Sequence, residues 1–347
     1  MIIAIIVLVI ILALLWWAHG EGVPVFLYHE VRKDSGTHPL LLESEMSYLA
    51  SKKAKSFNFT TAKNYIDMHG KLPRNSVIIT LDDGYEDNYS KAYPIFKKHN
   101  ISATIFVNSG FVGKKAEFLT YEQMREMHPL IDVQTHTRYH NKNFSSLKLI
   151  GVIGIFGELK NGVDDIYGIS REVGFPILEY GGEITHRKLS ISSAFFIQFK
   201  KYFDENLSDL TEKEILERGQ GFVNERADDI CIESDEMWKK RVAEAYLCNR
   251  RDLEKGSGQQ IEHLAWPWGY YNKKTHQWLK ESGVVGFATC IRGTNSRKLN
   301  FEWIRRNSIQ NANMKKFKFR YFICKNLILG WIYEKLSTKN AKWEIKE

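Results

Sequence analysis

A series of short β-branched and aromatic runs, each stopping at a polar residue or a turn, constrains this chain more than any other feature. They are Val23–Tyr28 before His29, Val77–Leu81 before Asp82-Asp83-Gly84, and Ala103–Val107 before Asn108-Ser109-Gly110. Ile131–Thr135 follows before His136, then Ile261–Trp266 before Pro267-Trp268-Gly269, and finally Val284–Ala288. Such runs, bounded by Gly, Pro, Asp or Asn, read as buried strands. Helical patterns separate them: Tyr89–His99, a capping box Thr120-Tyr121-Glu122-Gln123 opening a helix to Met127, Asp235–Glu254, and Lys273–Glu281. Strand alternating with helix predicts a parallel sheet or barrel, and polar residues just after strands sit where α/β barrels carry their chemistry.

Composition narrows the remaining options. With 347 residues, 44% hydrophobic and 26% charged, the chain is an ordinary globular one and not a disordered or repetitive one. Its net charge of +8 comes from interspersed residues, so no nucleic-acid footprint emerges. Cys231, Cys248, Cys290 and Cys324 are too scattered for a disulfide framework or a paired-cysteine metal site. The stretch 143–256 lacks clear strand alternation but is too apolar for a linker, and reads as a large insertion in a domain spanning 23–310. Residues 311–347 form a basic C-terminal extension.

Met1–Ala18 has no charged side chain and, at about 1.5 Å per residue, just spans a bilayer core. Trp16 and Trp17 close it where indoles favour the headgroup region. A cleaved signal peptide is the competing reading. Against it stand the missing basic amino end and bulky Trp16 three residues before Ala18, where a small residue is needed. The expectation is therefore an uncleaved transmembrane anchor. Arg32 and Lys33 lean towards a cytoplasmic body by the positive-inside rule.

Asp82-Asp83 and His136-Thr137-Arg138-Tyr139-His140 form the chemical constellation. Two imidazoles four residues apart and one carboxylate make a facial set for a divalent ion, leaving positions for water and substrate. A ligating carboxylate cannot also be a free base, but its neighbour can take a proton from a water acidified by the ion. Alone, DDG after a strand is more often a turn, and a histidine pair more often surface polarity. Together at strand ends, they point to a metal site.

These residues resemble a known family. TLDDGYEDNY (Thr80–Tyr89), HTRYH (His136–His140) and PVFLYHEV (Pro24–Val31) are similar to polysaccharide deacetylases with the NodB homology domain, carbohydrate esterase family 4. The YHEV segment resembles the circularly permuted poly-N-acetylglucosamine deacetylases. ATIFV, LTYEQMREM and AWPWGYYN add support, while the insertion carries no family motif.

The resemblance implies an α/β fold: a distorted (β/α) barrel of the NodB type with a large α-rich insertion and an N-terminal transmembrane helix. It implies Asp82 as general base, Asp83, His136 and His140 as ligands of a divalent metal (zinc in first place), and His29 as general acid. Arg306 matches the arginine that orients the base, although Arg305 is adjacent. Pro267, Trp268, Gly269 and Tyr270 match a substrate-binding groove, with Trp268 where Tyr is usual. Trp266 and Tyr271 would join Trp268 and Tyr270 in a sugar-stacking wall, unless they are core.

The activity implied is metal-dependent removal of N-acetyl groups from an amino-sugar polysaccharide or envelope glycan. The partners implied are the acetylated glycan and, through the N-terminal helix, the cytoplasmic membrane, with the catalytic body periplasmic or extracellular against the weak charge lean. A non-catalytic glycan-binding protein would be expected to have lost a ligand or Asp82. A metal-dependent glycosyltransferase would need a further carboxylate cluster, which the sequence does not offer.

Overall fold

A computed structural model describes residues 7, 20–157, 169–227, 230–309 and 312–337. The expected anchor at 1–18 lies outside these residues, Val7 excepted. Among the described residues no helix is long and apolar enough to cross a membrane.

The apolar runs become the strands β1 (Val25–Tyr28), β3 (Ser76–Leu81), β4 (Ala103–Val107), β5 (Ile131–Thr135), β10 (His263–Ala265) and β11 (Gly286–Ala288). Each is buried along its whole length, as strands covered on both faces must be. With β2 (Lys55–Phe57) and β12 (Asn307–Ser308) they form one parallel sheet in the order β11-β10-β5-β4-β3-β1-β12, β2 pairing with β3. A parallel bridge between Ala288 and Ile304 joins the β11 edge to the segment entering β12, curling the sheet towards closure. Because every pairing in this sheet is parallel, all strands deliver their carboxyl ends to one side.

Helices α1 (Pro39–Ser51), α2 (Phe59–His69), α3 (Tyr93–His99) and α4 (Tyr121–Met127) connect the first strands. The anticipated capping box opens α4: the Thr120 hydroxyl accepts from Gln123 N, and the Gln123 side chain accepts from Thr120 N. These helices and the sheet share a core that includes Phe26, Leu42, Met46, Ile79, Phe96 and Met124.

The chain divides into two compact units. The first takes residues 20–139, 246–271 and 280–337 and holds the parallel sheet. The second takes 140–245 and 272–279. It contains an antiparallel pair, β6 (Lys142–Val152) with β7 (Pro176–Gly182), and a shorter one, β8 (Leu189–Ile191) with β9 (Ile230–Ile232). Helices α5 (Ser193–Asn206) and α6 (Glu212–Glu225) pack phenylalanines 195, 196, 199, 203 and 222 into its separate core. Helix outweighs strand in this stretch, and the two antiparallel pairs are an addition to the α-rich insertion expected. A register shift between Phe144 and Leu149 interrupts the β6–β7 ladder. Strand alternation is broken there, which is why the pattern was not legible. Helix α7 (Asp235–Ser257) starts in the second unit and ends in the first, and α8 (Lys273–Glu281) follows β10.

A buried acid lies under the site-bearing end of β1. Tyr28 Oη donates to Glu45 Oε2 at 2.8 Å. Burial pushes the Glu45 carboxyl from its ordinary 4.5 up to about 8, against the opposing pull of Tyr28 and Arg320. The folded state therefore takes up a proton that the unfolded chain releases. Glu45's contribution is fully present below pH 4.5 and is lost as pH rises towards about 8. Urea denaturation across that window should show stability falling with pH in the wild type and a flatter profile in Glu45→Gln. Equal slopes would contradict this assignment.

Candidate metal and acid–base site

At the carboxyl end of β3 the chain turns through Asp82 and Asp83 with very different surroundings. Asp82 is buried and receives a bidentate clamp from Arg306: Nη1 to Oδ1 at 2.6 Å and Nη2 to Oδ2 at 2.8 Å. Arg306 is itself completely buried; its Nε donates to Thr289 O at 2.9 Å and its guanidinium lies 5.4 Å from the centroid of Phe106. Burial alone would raise the Asp82 pKa, but the Arg306 charge, aided by His136 and His29, holds it at about 2. Arg305, the other candidate, pairs instead with Glu334 at 2.6 Å. The geometry thus separates two arginines that the sequence leaves adjacent.

Asp83 takes the left-handed backbone conformation, φ 75°. Its Oδ1 lies 3.5 Å from His136 Nε2, and Tyr85 hydrogen-bonds to its carboxylate. Burial raises the Asp83 pKa, opposed by the neighbouring imidazoles. His136 follows β5, and its Nδ1 sits 2.9 Å from Ala265 O on β10. A carbonyl oxygen can only accept, so Nδ1 carries the proton and the Nε2 lone pair faces Asp83; metal-binding histidines are oriented in this way. Asp83, His136 and His140 each offer one ligand atom, all within 4.8 Å of one another. Two nitrogens and one oxygen at this separation suit a divalent ion.

The loop from His136 is propped by residues to which the sequence reading assigned no role. Asn108 Nδ2 donates to His136 O at 2.5 Å and to Thr137 O at 3.0 Å. Gly110 N donates to Arg138 O at 2.8 Å, and a Cβ on Gly110 would stand 2.2 Å from the Tyr139 ring. Asn249 of α7 accepts from Ser109 N and donates to Val107 O, locking the end of β4. Both Thr137 and His140 have positive φ, as do Asp83 and Trp268. Half of the eight such non-glycine residues recorded therefore belong to this one constellation. Conformational strain of this kind persists only where the surroundings enforce it.

His29 follows β1, and its Nδ1 is buried without a hydrogen-bond partner among the described residues. The downstream end of the DDG motif holds its loop. Asn88 Nδ2 donates to His29 O at 2.9 Å, Asp87 Oδ1 accepts from Val31 N, and Asp87 Oδ2 pairs with Arg32 at 2.6 Å. The only sequence signal for Asp87 and Asn88 was the motif itself.

Pro267, Trp268 and Gly269 form a tight turn directly after β10, with Tyr270 next. The expected stacking wall is only partly available. Trp266 is buried and stacks on Phe287 with centroids 5.6 Å apart, and half-buried Tyr271 packs edge-on against Trp303 at 4.6 Å. Trp266 is core because the rings of Phe287 and Tyr271 pack against it. Trp268 and Tyr270 are half-buried.

Comparison with known proteins agrees with the motifs. Residues 69–150 match the sequence model of the polysaccharide deacetylase family. A Bacillus subtilis protein named as a polysaccharide deacetylase, YxkH, is 33% identical over 120 residues, covering 34% of this chain and 43% of that protein. The poly-beta-1,6-N-acetyl-D-glucosamine N-deacetylase of Staphylococcus aureus is 38% identical over 108 residues, 28% of this chain and 36% of the relative. The match thus spans less than half the length of these curated relatives. Among solved structures, IcaB from Ammonifex degensii superposes with TM-score 0.54 at 18% identity, covering 86% of this chain and 95% of the other. A de-N-acetylase from Aggregatibacter actinomycetemcomitans gives 0.58 at 16% identity, covering 86% and 99%. At these identities the structural likeness establishes the fold. Residues 69–150 are thus similar to the polysaccharide deacetylases.

Removing one partner of a buried ion pair strands the other, typically at about 3–5 kcal/mol. Arg306→Ala and Asp82→Asn should each destabilise the fold in chemical denaturation. The double variant should lose clearly less than the sum of the two. Simple additivity would show that the pair is not energetically coupled.

Proposed function

We propose that this chain is a divalent-metal-dependent hydrolase that removes N-acetyl groups from an amino-sugar polysaccharide or cell-envelope glycan. The observation that carries the reading is the placement of Asp83, His136 and His140 within ligand distance of one another, beside a carboxylate held ionised by Arg306.

The donor set fits such an ion, because His136 has its proton on the nitrogen facing Ala265 and its lone pair on the other. Asp83, His136 and His140 would hold the metal, zinc in first place, which when bound polarises an acetyl carbonyl and acidifies a water. Asp82, anchored by two hydrogen bonds, accepts the water's proton as its oxygen attacks the carbonyl carbon. His29, at the end of the neighbouring strand β1, gives a proton to the nitrogen as the carbon–nitrogen bond breaks, so acetate and a free amine leave. Arg306 is a positioning residue: it touches Asp82, and it keeps the base charged. The turn of Pro267, Trp268 and Gly269 with Tyr270 is the proposed glycan-binding edge. No residue that a non-catalytic descendant would have dispensed with is missing.

Residues 1–18 are proposed to stay attached as a membrane anchor, with the body in the periplasm or outside the cell. The apolar run and its poor cleavage site support this reading.

Acetate release from poly-N-acetylglucosamine oligomers should require added zinc or another divalent ion after chelation. His136→Ala should lose bound metal by elemental analysis together with activity, whereas Asp82→Asn should keep the metal and lose turnover by about two orders of magnitude or more. Full activity in the metal-free protein would defeat the proposal.

A second contrast isolates His29. An amide's amine must be protonated to leave, while an activated ester's phenolate leaves unaided. His29→Ala should therefore slow N-acetyl hydrolysis far more than activated acetyl-ester hydrolysis. The same loss on both substrates, with the fold intact, would mark His29 as a packing residue.

A further inference from the structure

The basic C-terminal extension has no part in the chemistry above, yet it exposes several large apolar side chains. It folds into α9 (Met314–Cys324) and α10 (Leu327–Ser337). On α10 the inward side is satisfied: Gly330 meets Thr294, and Glu334 pairs with Arg305. The outward side should then be polar. Instead Ile328, Trp331, Ile332 and Leu336 recur at helical spacing and are 45%, 57%, 41% and 73% exposed, and Phe319 on α9 is 58% exposed. Soluble surfaces rarely keep such a stripe without an occupant.

Two observations identify the occupant. First, the charges around the stripe have one sign: Lys315, Lys316, Lys318 and Lys335 are exposed, while the one acid on the two helices, Glu334, is already paired with Arg305. An adjoining cavity of about 560 Å³ adds Lys52 and Arg74 in its lining, beside Glu21, which pairs with Lys325. Aromatic and aliphatic residues rimmed by lysine are the composition of helices that lie in the headgroup layer of an anionic membrane. Second, the chain enters the described structure at this place. Gly20 packs against Leu327, Glu21 bridges to Asn326, and Glu21 also pairs with Lys325. The chain that follows the uncharged apolar run 1–18 thus joins the described structure beside α10.

We infer that the outward face of α9 and α10 is a membrane-docking surface that lies on an anionic lipid bilayer, with Trp331, Ile332 and Leu336 in the headgroup–acyl boundary. This inference is independent of the deacetylase reading. A docked body would be held with one fixed side to the lipid, whereas a single anchor alone leaves it free to swivel.

The test uses the full chain in vesicles of phosphatidylcholine with or without phosphatidylglycerol, the acyl chains brominated near the headgroup. Tryptophan emission of wild type minus that of Trp331→Phe isolates Trp331. Bromolipid should quench this difference roughly two-fold or more in the anionic vesicles. Quenching should weaken without phosphatidylglycerol, and in a variant with Lys315, Lys316, Lys318 and Lys335 all changed to Gln. Circular dichroism confirms that both variants are folded. Unquenched, water-exposed emission overturns the inference. So does unquenched, blue-shifted emission: if concentration-dependent it shows a second copy on the stripe, and if not, it shows residues 1–18 folded over it. A salt wash separates this result from the anchor. Quenched Trp331 with salt-labile binding keeps the docking surface and sinks the anchor, and unquenched Trp331 with salt-resistant binding does the reverse.

Discussion

A guanidinium with no access to water cannot shed its proton, so it persists only where an anion and further acceptors surround it. Arg306 meets that condition through Asp82, the Thr289 carbonyl and the face of Phe106, and the site is arranged around this demand. The arginine precedes β12, the carbonyl follows β11 and the carboxylate follows β3, so one ion pair gathers three strand ends at a point. The same contact that ties the sheet together determines the charge of the presumed base. It carries a chemical cost as well: a carboxylate held at about 2 is a weak base. It can accept a proton readily only from a water whose acidity the site has raised. The clamp and the neighbouring proposed ligand set therefore make sense together and neither makes sense alone.

The ligand loop shows how the surrounding structure sustains unfavourable backbone geometry. Asp83, Thr137 and His140 occupy the left-handed region without being glycine. Each is sparsely populated in free peptides. Asn108 grips two successive carbonyls of the loop, Gly110 lets the backbone pass against Tyr139, and Tyr85 meets Asp83 from the side. On the other flank, Asp87 and Asn88 reach back to the segment carrying His29. The acidic motif thus supplies the proposed base and a proposed ligand at its start and the supports of the proposed acid at its end. A cluster of polar groups this dense is stable because most members are satisfied by backbone partners rather than by each other.

Much of this was legible in the amino-acid order. Fully buried parallel strands must be short, apolar and bounded by turns, so β3, β4 and β5 stand out with nearly their observed limits, and α4 announces its start by its capping box. The candidate ligands were legible for a related reason: strands of one parallel sheet end on one side, so polar residues placed after them converge whatever the strand order. What local pattern could not supply were the contacts between residues far apart in the chain. Arg305 and Arg306 have equal local claims, and only the 224-residue separation closed by the sheet shows which meets Asp82. Asn108 looked like a turn residue until its partners came from the loop after β5. Trp266 looked like a sugar platform until Phe287 covered it. The β6–β7 hairpin was hidden because its register shifts break the alternation that would have revealed it. Sequence by itself determined the class of fold, the residue types of the site and the side of the sheet on which they gather, because those follow from periodicity and polarity along the chain. Tertiary structure alone decided the pairings, the protonation and the burial of each group, because these depend on the dielectric surroundings and on neighbours that the chain brings together only when folded.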